Sequence, residues 1–338
     1  MDTNIKVSVI MPAYNAEKFI QKAIESILNQ TFQDFELVVI DDCSNDNTIE
    51  IIKSFKTNKI RILQTHKQSG AAASRNLGIT QAVGGYIAFL DADDWAYPDR
   101  LAKQIAFLEA NKNIDLLGSW IEVVDIEGNK LPYVQTKIPA YHLPIKLLFH
   151  NCFALSSVML RKQILVNFQF DTAFPLAQDY ELWSRLSHTY QMDILPTILV
   201  KYLTHYEGIS KQKPEIMIKM VSQIKHTLLG KLKINPTIRE YELHEQIGHL
   251  TFEPSIQFFI QACQWLNKLH KANQSTSVYS SSHFDEVLLH YWKYICQSHF
   301  HQKGTYLLSI HFWYSFASSF YTRLWLNKKL PLLFRKNS

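Results

Sequence analysis

The sequence predicts an α/β fold: an open, Rossmann-like, mostly parallel sheet flanked by helices, followed by a mainly helical C-terminal region. Three observations carry this. Short apolar runs rich in β-branched residues alternate with stretches of helical periodicity through the first hundred residues. Polar or acidic residues stand directly after three of those runs. From Pro214 onward the pattern is helical alone.

The elements follow in order. VSVIM (Val7–Met11) is a strand, and Asn15 is placed to cap a helix whose apolar positions Phe19, Ile20, Ala23, Ile24, Ile27 and Leu28 share one face. ELVVI (Glu36–Ile40) is a buried strand. Helical spacing returns through Ile51, Ile52 and Phe55. IRIL (Ile60–Leu63), a small-residue helix over Ser69–Ala82 and YIAFL (Tyr86–Leu90) complete the alternation, which requires parallel strands joined by crossovers. A helix through Leu101, Ile105 and Leu108 leads to LLGSWIEVV, and EGN (Glu127–Asn129) reads as a turn. ALSSVMLRK (Ala154–Lys162) is a further strand, then a helix around Asp179–Tyr190 and a strand near Ile194–Tyr202. The expected division is 1–212 for the α/β domain and 213–338 for the helical region, with polar breaks near Asn235–Pro236 and Gln274–Ser282.

Open α/β sheets bind ligands beyond the carboxyl ends of their strands. Pro12, Tyr14 and Asn15 follow the first strand, Asp41 and Asp42 the second, and Asp91, Asp93 and Asp94 the fourth. LDADD (Leu90–Asp94) offers closely spaced carboxylates suited to a hard divalent cation that also binds substrate phosphates. An acid-rich turn after a strand can equally be a solvated loop or a helix cap, and Asp179 can equally cap the helix that follows it.

The run VSVIMPAYNAEKFIQKAIESILNQTFQDFELVVIDDCSNDNT resembles the opening of the family 2 glycosyltransferases, inverting enzymes of the GT-A fold. GAAASRNLGI, GGYIAFLDADDWAYPDRL, QDYELWSRL and HYEGIS continue the resemblance in order over about the first 212 residues. It implies transfer of a sugar from a nucleotide-sugar donor, UDP-linked, to a hydroxyl of a glycan or lipid-linked glycan. Pro12, Tyr14, Asn15, Asp42, Arg75 and Asp91 would then line the nucleotide site. Asp93 and His205 would hold a divalent metal, Mg²⁺ or Mn²⁺. Asp179 would be the catalytic base, with Gln178 standing where the family commonly has glutamate. The alternative is a non-catalytic nucleotide-sugar-binding or scaffold protein of the same fold. A nucleotidyltransferase is disfavoured because no glycine-rich phosphate loop follows the first strand.

Composition adds the setting. Apolar residues are 47 % of 338, and four widely separated cysteines lack metal-ligand spacing, which fits reduced thiols in a cytoplasmic protein. The net charge of +5 belongs to the end of the chain: after Glu286 there are seven basic residues and no acid, leaving 28 basic against 30 acidic residues elsewhere. With the aromatic helical pattern of Leu307–Leu326, that tail suits peripheral contact with the inner face of an anionic membrane. Nothing in the pattern points to nucleic acid.

Overall fold

The computed structural model describes residues 5–133, 135–205 and 209–303. The chain divides into two compact units, Met1–Leu228 and Leu229–Ser338.

The first unit is built on an eight-stranded sheet. In chain order its strands are β1 (Val7–Ala13), β2 (Phe35–Asp41), β3 (Ile60–Gln64), β4 (Tyr86–Phe89), β5 (Trp95–Ala96), β6 (Leu116–Val124), β7 (Met159–Arg161) and β8 (Met192–Leu203). Their order across the sheet is β3-β2-β1-β4-β7-β6-β8-β5. β3, β2, β1 and β4 are parallel, as the alternating pattern requires. The sheet then becomes mixed. β7 runs antiparallel to both β4 and β6, β8 is parallel to β6, and β5 is antiparallel to β8.

Between the strands lie α1 (Ile20–Leu28), α2 (Thr48–Ser54), α3 (Ala71–Gln81), α4 (Arg100–Ala110), α5 (Leu143–Lys146) and α6 (Gln178–Leu186). α1 buries Ile20, Ala23, Ile24 and Ile27. Each isoleucine so covered contributes roughly 1.5–3 kcal/mol of transfer free energy. α3 lies close on the sheet at Gly78, where a Cβ would come 2.6 Å from Ile40 Cδ1 and 2.9 Å from Ile10 Cγ2. That close approach sets Arg75, one turn earlier, beside the strand ends. Gly70 stands as the cap before α3, and its φ of 84° suits a residue without a side chain.

Two local expectations are corrected. Asn15 does not cap α1, which starts at Ile20 with Phe19 before it. Its backbone is left-handed (φ 48°) and its Oδ1 accepts from the Asn45 N–H (2.9 Å), so it ties the loop after β1 to the loop after β2. ALSSVMLRK is not one strand: Leu155–Ser157 forms a 3-10 turn and only Met159–Arg161 is extended. The Ser157 hydroxyl donates to the Ala154 carbonyl (2.7 Å), a local bond that competes with the ladder.

α7 (Ile209–Gln212) and α8 (Pro214–Lys231) follow, the latter running across the division between the units. The second unit contains α9 (Ile238–His249), α10 (Ile256–Thr276) and α11 (Ser281–Lys303). A Thr237–Glu240 capping box opens α9. Phe259 meets Trp292 with ring centroids 4.6 Å apart, which marks the α10–α11 hairpin core. Among the described residues no helix is long and apolar enough to cross a membrane. The basic aromatic tail, residues 304–338, and the Tyr206–Gly208 part of HYEGIS lie outside the described residues.

Candidate active site

The carboxyl ends of β1, β2 and β4 face the same edge of the sheet, because these strands are parallel neighbours in register. Pro12 pairs with Ile40 in that register, and Tyr14, just beyond β1, is exposed. Asp42 follows β2 and is only 4 % exposed. Its carboxylate accepts from the Thr65 hydroxyl (2.9 Å), the Ser69 N–H (2.9 Å) and the Gly70 N–H (2.7 Å). Three protein donors against roughly four acceptor positions leave about one free. Asp42 therefore organises the loop that leads into α3 as well as facing the site edge.

The three acids after β4 form the electrostatic centre. Asp91, Asp93 and Asp94 present carboxylate oxygens within 4.8 Å of one another. Asp94 is 1 % exposed; its Oδ1 accepts from the Leu203 N–H (2.9 Å), which joins the cluster to β8. Burial pushes its carboxyl well above the usual range, and the charges of Asp93 and Asp91 push it further. The Asp91 N–H donates to the Ser156 hydroxyl (3.0 Å). Behind the cluster the buried Arg100 donates to the Phe89 carbonyl (2.8 Å) and so fixes the end of β4. Burial lowers its guanidinium to about 9, with Asp94 opposing that shift.

His205, two residues past β8, places Nε2 3.0 Å from Asp93 Oδ2. Its ring packs on Phe19, centroids 4.9 Å apart, and its Nδ1 is buried without a partner. Asp93 and His205 are thus brought together from positions 112 residues apart.

Arg75 links the cluster to α6. It is 4 % exposed, and Nη2 donates to Asp91 Oδ1 at 2.6 Å. Asn76 beside it accepts from the Phe170 N–H (3.0 Å) and donates to the Phe170 carbonyl (2.8 Å), anchoring α3 to the segment before α6. Asp179 lies inside the first turn of α6. It is not the cap, which is Ala177 with φ 54°. Asn151 Nδ2 donates to Asp179 Oδ2 (2.9 Å), while Asn151 Oδ1 is held by the Phe153 N–H (3.1 Å). Burial raises the Asp179 carboxyl above its ordinary range. The Tyr180 N–H, the Arg75 charge and the Asn151 amide oppose that, and the Asp91 charge adds to it. Tyr202 on β8 has its phenol raised by burial and then by the charges of Asp94, Asp91, Asp93 and Asp179.

Asn151, Tyr202, Ser156 and Phe19 were missed from sequence. Asn151 stands on irregular backbone and Ser156 in the Leu155–Ser157 3-10 turn, neither in a motif, and only the fold brings them to the acids. The carboxylate-rich donor set, with one imidazole, suits a hard divalent cation such as Mg²⁺ or Mn²⁺. The mutual repulsion of three acids within 4.8 Å is the observation that favours one. The arrangement can hold a negatively charged ligand at the β1–β2–β4 edge through a cation bound by these acids. It can also accept a proton at Asp179.

Comparison with known proteins agrees with that arrangement. A profile described as "Glycosyl transferase family 2" matches residues 8–166. An uncharacterized glycosyltransferase of Methanocaldococcus jannaschii is 39 % identical over 223 residues, 61 % of this chain and 75 % of that protein. The Escherichia coli protein WfgD, a UDP-Glc:alpha-D-GlcNAc-diphosphoundecaprenol beta-1,3-glucosyltransferase, is 32 % identical over 240 residues, 70 % of this chain and 90 % of WfgD. In fold the chain is similar to S. aureus TarS residues 1–349 (TM-score 0.56, 20 % identity, 89 % of this chain and 93 % of that one). It is also similar to the mannosyltransferase PcManGT of Pyrobaculum calidifontis, solved with GDP-Man and Mn²⁺ (TM-score 0.54, 15 % identity, 88 % of each chain). With its GT-A sheet and relatives matched over most of their length, the chain belongs to glycosyl transferase family 2 and is a glycosyltransferase.

Proposed function

We propose that the chain transfers a sugar from a UDP-linked donor to a hydroxyl of a glycan or lipid-linked glycan, with inversion at the anomeric carbon. What supports this reading is the pairing of Arg75 with Asp91 at the strand edge, together with the effect of both charges on the buried carboxylate of Asp179. The similarity to WfgD, named for a UDP-Glc donor and a lipid-diphosphate acceptor, supports the same donor and acceptor classes.

Pro12, Tyr14, Asn15, Asp42 and Asp91 form the nucleotide side, and Arg75 orients Asp91. Asp93 and His205 would hold the Mg²⁺ or Mn²⁺, which when bound offsets charge on the departing diphosphate. Asp179 is the base. With Oδ2 engaged by Asn151, Oδ1 takes the acceptor proton as the acceptor oxygen bonds to the anomeric carbon. The bond from that carbon to the diphosphate oxygen breaks, and UDP leaves with its electron pair. The catalytic part is residues 1–212, and 213–338 carries the acceptor-side or membrane-side role, the basic tail resting on the inner face of the membrane from the cytoplasm.

Calorimetric titration with a panel of UDP- and GDP-sugars, with and without Mn²⁺, tests this reading. UDP-sugars bind with Mn²⁺ present, and Asp93→Asn weakens that binding at least tenfold. Equal binding of the panel with chelator present contradicts the assignment of Asp93.

A further inference from the structure

Gln178, the first residue of α6, departs from the glutamate that the family commonly carries, and the geometry gives that departure a purpose. Its amide is assigned from its neighbours, a guanidinium on one side and a carbonyl on the other: with the oxygen toward Arg75, Oε1 accepts from Arg75 Nη1 at 2.7 Å and the nitrogen donates to the Pro175 carbonyl at 3.3 Å. Arg75 Nη2 is meanwhile on Asp91 Oδ1 at 2.6 Å. The guanidinium lies 5.6 Å from the Phe170 ring, and its Nε is buried without a partner. A buried guanidinium held at both Nη groups has no freedom to turn, and its planar fork transmits that fixity to each partner.

We infer that Gln178 is a positioning residue for the donor site. Its neutral amide tethers Arg75 through one Nη group and leaves the guanidinium charge undivided for Asp91, so the strand end and the base-bearing helix are fixed to one another. A glutamate at 178 would keep the tether but place one cation among Asp91, Asp179 and a third carboxylate. The charged and titratable groups that act electrostatically with Asp179 from the packed elements are Arg75 on α3, Asp91 after β4 and Tyr202 on β8, with Asn151 as the neutral donor. An added acid beside them disfavours the ionised form of Asp179. The tether and the neutrality are thus separable properties of one side chain. This inference rests on the proposed roles of Asp91 and Asp179.

Two variants separate the properties. Gln178→Met keeps the length of the side chain and removes the acceptor. Gln178→Glu keeps the acceptor and adds charge. Arginine side-chain nitrogen resonances of the full-length chain read the tether directly, with no donor present. In wild type and Gln178→Glu the Arg75 Nη protons are resolved and slowly exchanging, and in Gln178→Met they are averaged. Steady-state kinetics with the UDP-sugar and Mn²⁺ read the consequence. Gln178→Met raises the donor KM about fivefold or more with a smaller change in kcat. Gln178→Glu moves the acid limb of kcat upward by at least half a pH unit. A thermal melt of each variant establishes that it is folded. Averaged Arg75 resonances in wild type, or resolved ones in Gln178→Met, overturn the tether. An acid limb unmoved by Gln178→Glu overturns the role of neutrality. Absence of turnover in wild type, with the Arg75 resonances as expected, removes the proposed function and leaves the tether standing.

Discussion

Replacing Asn151 isolates the contribution of a single hydrogen bond to the proposed base. Asn151 Nδ2 donates to Asp179 Oδ2 at 2.9 Å in a site where burial already works against the carboxylate. A hydrogen bond to a charged group is worth about 1.5–3 kcal/mol, which is roughly a tenfold to hundredfold change in the protonation equilibrium. Asn151→Leu removes it and also frees the Phe153 N–H, at about 1–3 kcal/mol of stability for a buried unpaired group. Asn151→Asp keeps an acceptor for Phe153 but turns an anion toward Asp179. The sign is the same in both: less support for the ionised base, so more proton bound at a given pH. The acid limb of the kcat–pH profile should move upward in Asn151→Leu and further in Asn151→Asp, with the rate of Asn151→Leu recovering at alkaline pH. The assay is release of UDP from a UDP-sugar with acceptor across the pH range, beside thermal melts of each variant. An acid limb unmoved in both folded variants refutes the assignment of Asn151 as the support of the base.

Two further outcomes follow from the same observations. The Asp179 carboxyl is raised in the folded state by burial, so the native protein holds that proton more tightly than the unfolded chain, and stability falls as pH rises from the unfolded value through the folded one. Asp179→Asn should therefore raise Tm at pH 7, with the gain vanishing below the ordinary carboxylate range; a lower Tm at pH 7 contradicts it. Removing residues 304–338 should release the protein from anionic vesicles in co-sedimentation while UDP binding survives, since every proposed donor residue lies at or before His205; loss of UDP binding on truncation contradicts the membrane reading of the tail.

The parallel half of the sheet was legible because local periodicity encodes it: Val7–Met11 and Glu36–Ile40 are fully buried runs, and their crossovers show helical spacing. The acids at the strand ends were legible for the same reason, since a strand's end fixes where the next residues point. The mixed half was not. β7 is three residues long, and its antiparallel place between β4 and β6 depends on pairing partners more than forty residues away in the sequence. Asn15 reads as a cap by residue type, yet its left-handed backbone and its bond to Asn45 come from the meeting of two loops. Asn151 and Tyr202 carry no local signal at all. Asn151 matters because it donates to Asp179 and Tyr202 because the charges of the four acids act on it, and only tertiary structure supplies either.

The central claim is that Asp179 is the base of a sugar transfer. Its most direct test is the turnover of Asp179→Asn with a saturating UDP-sugar, Mn²⁺ and acceptor, measured beside the affinity for UDP. Asparagine keeps the shape and loses the proton acceptor, so kcat should fall by about 10²-fold or more while the UDP affinity stays within about threefold of wild type. Turnover near wild type in the folded variant would contradict the claim and place the base elsewhere.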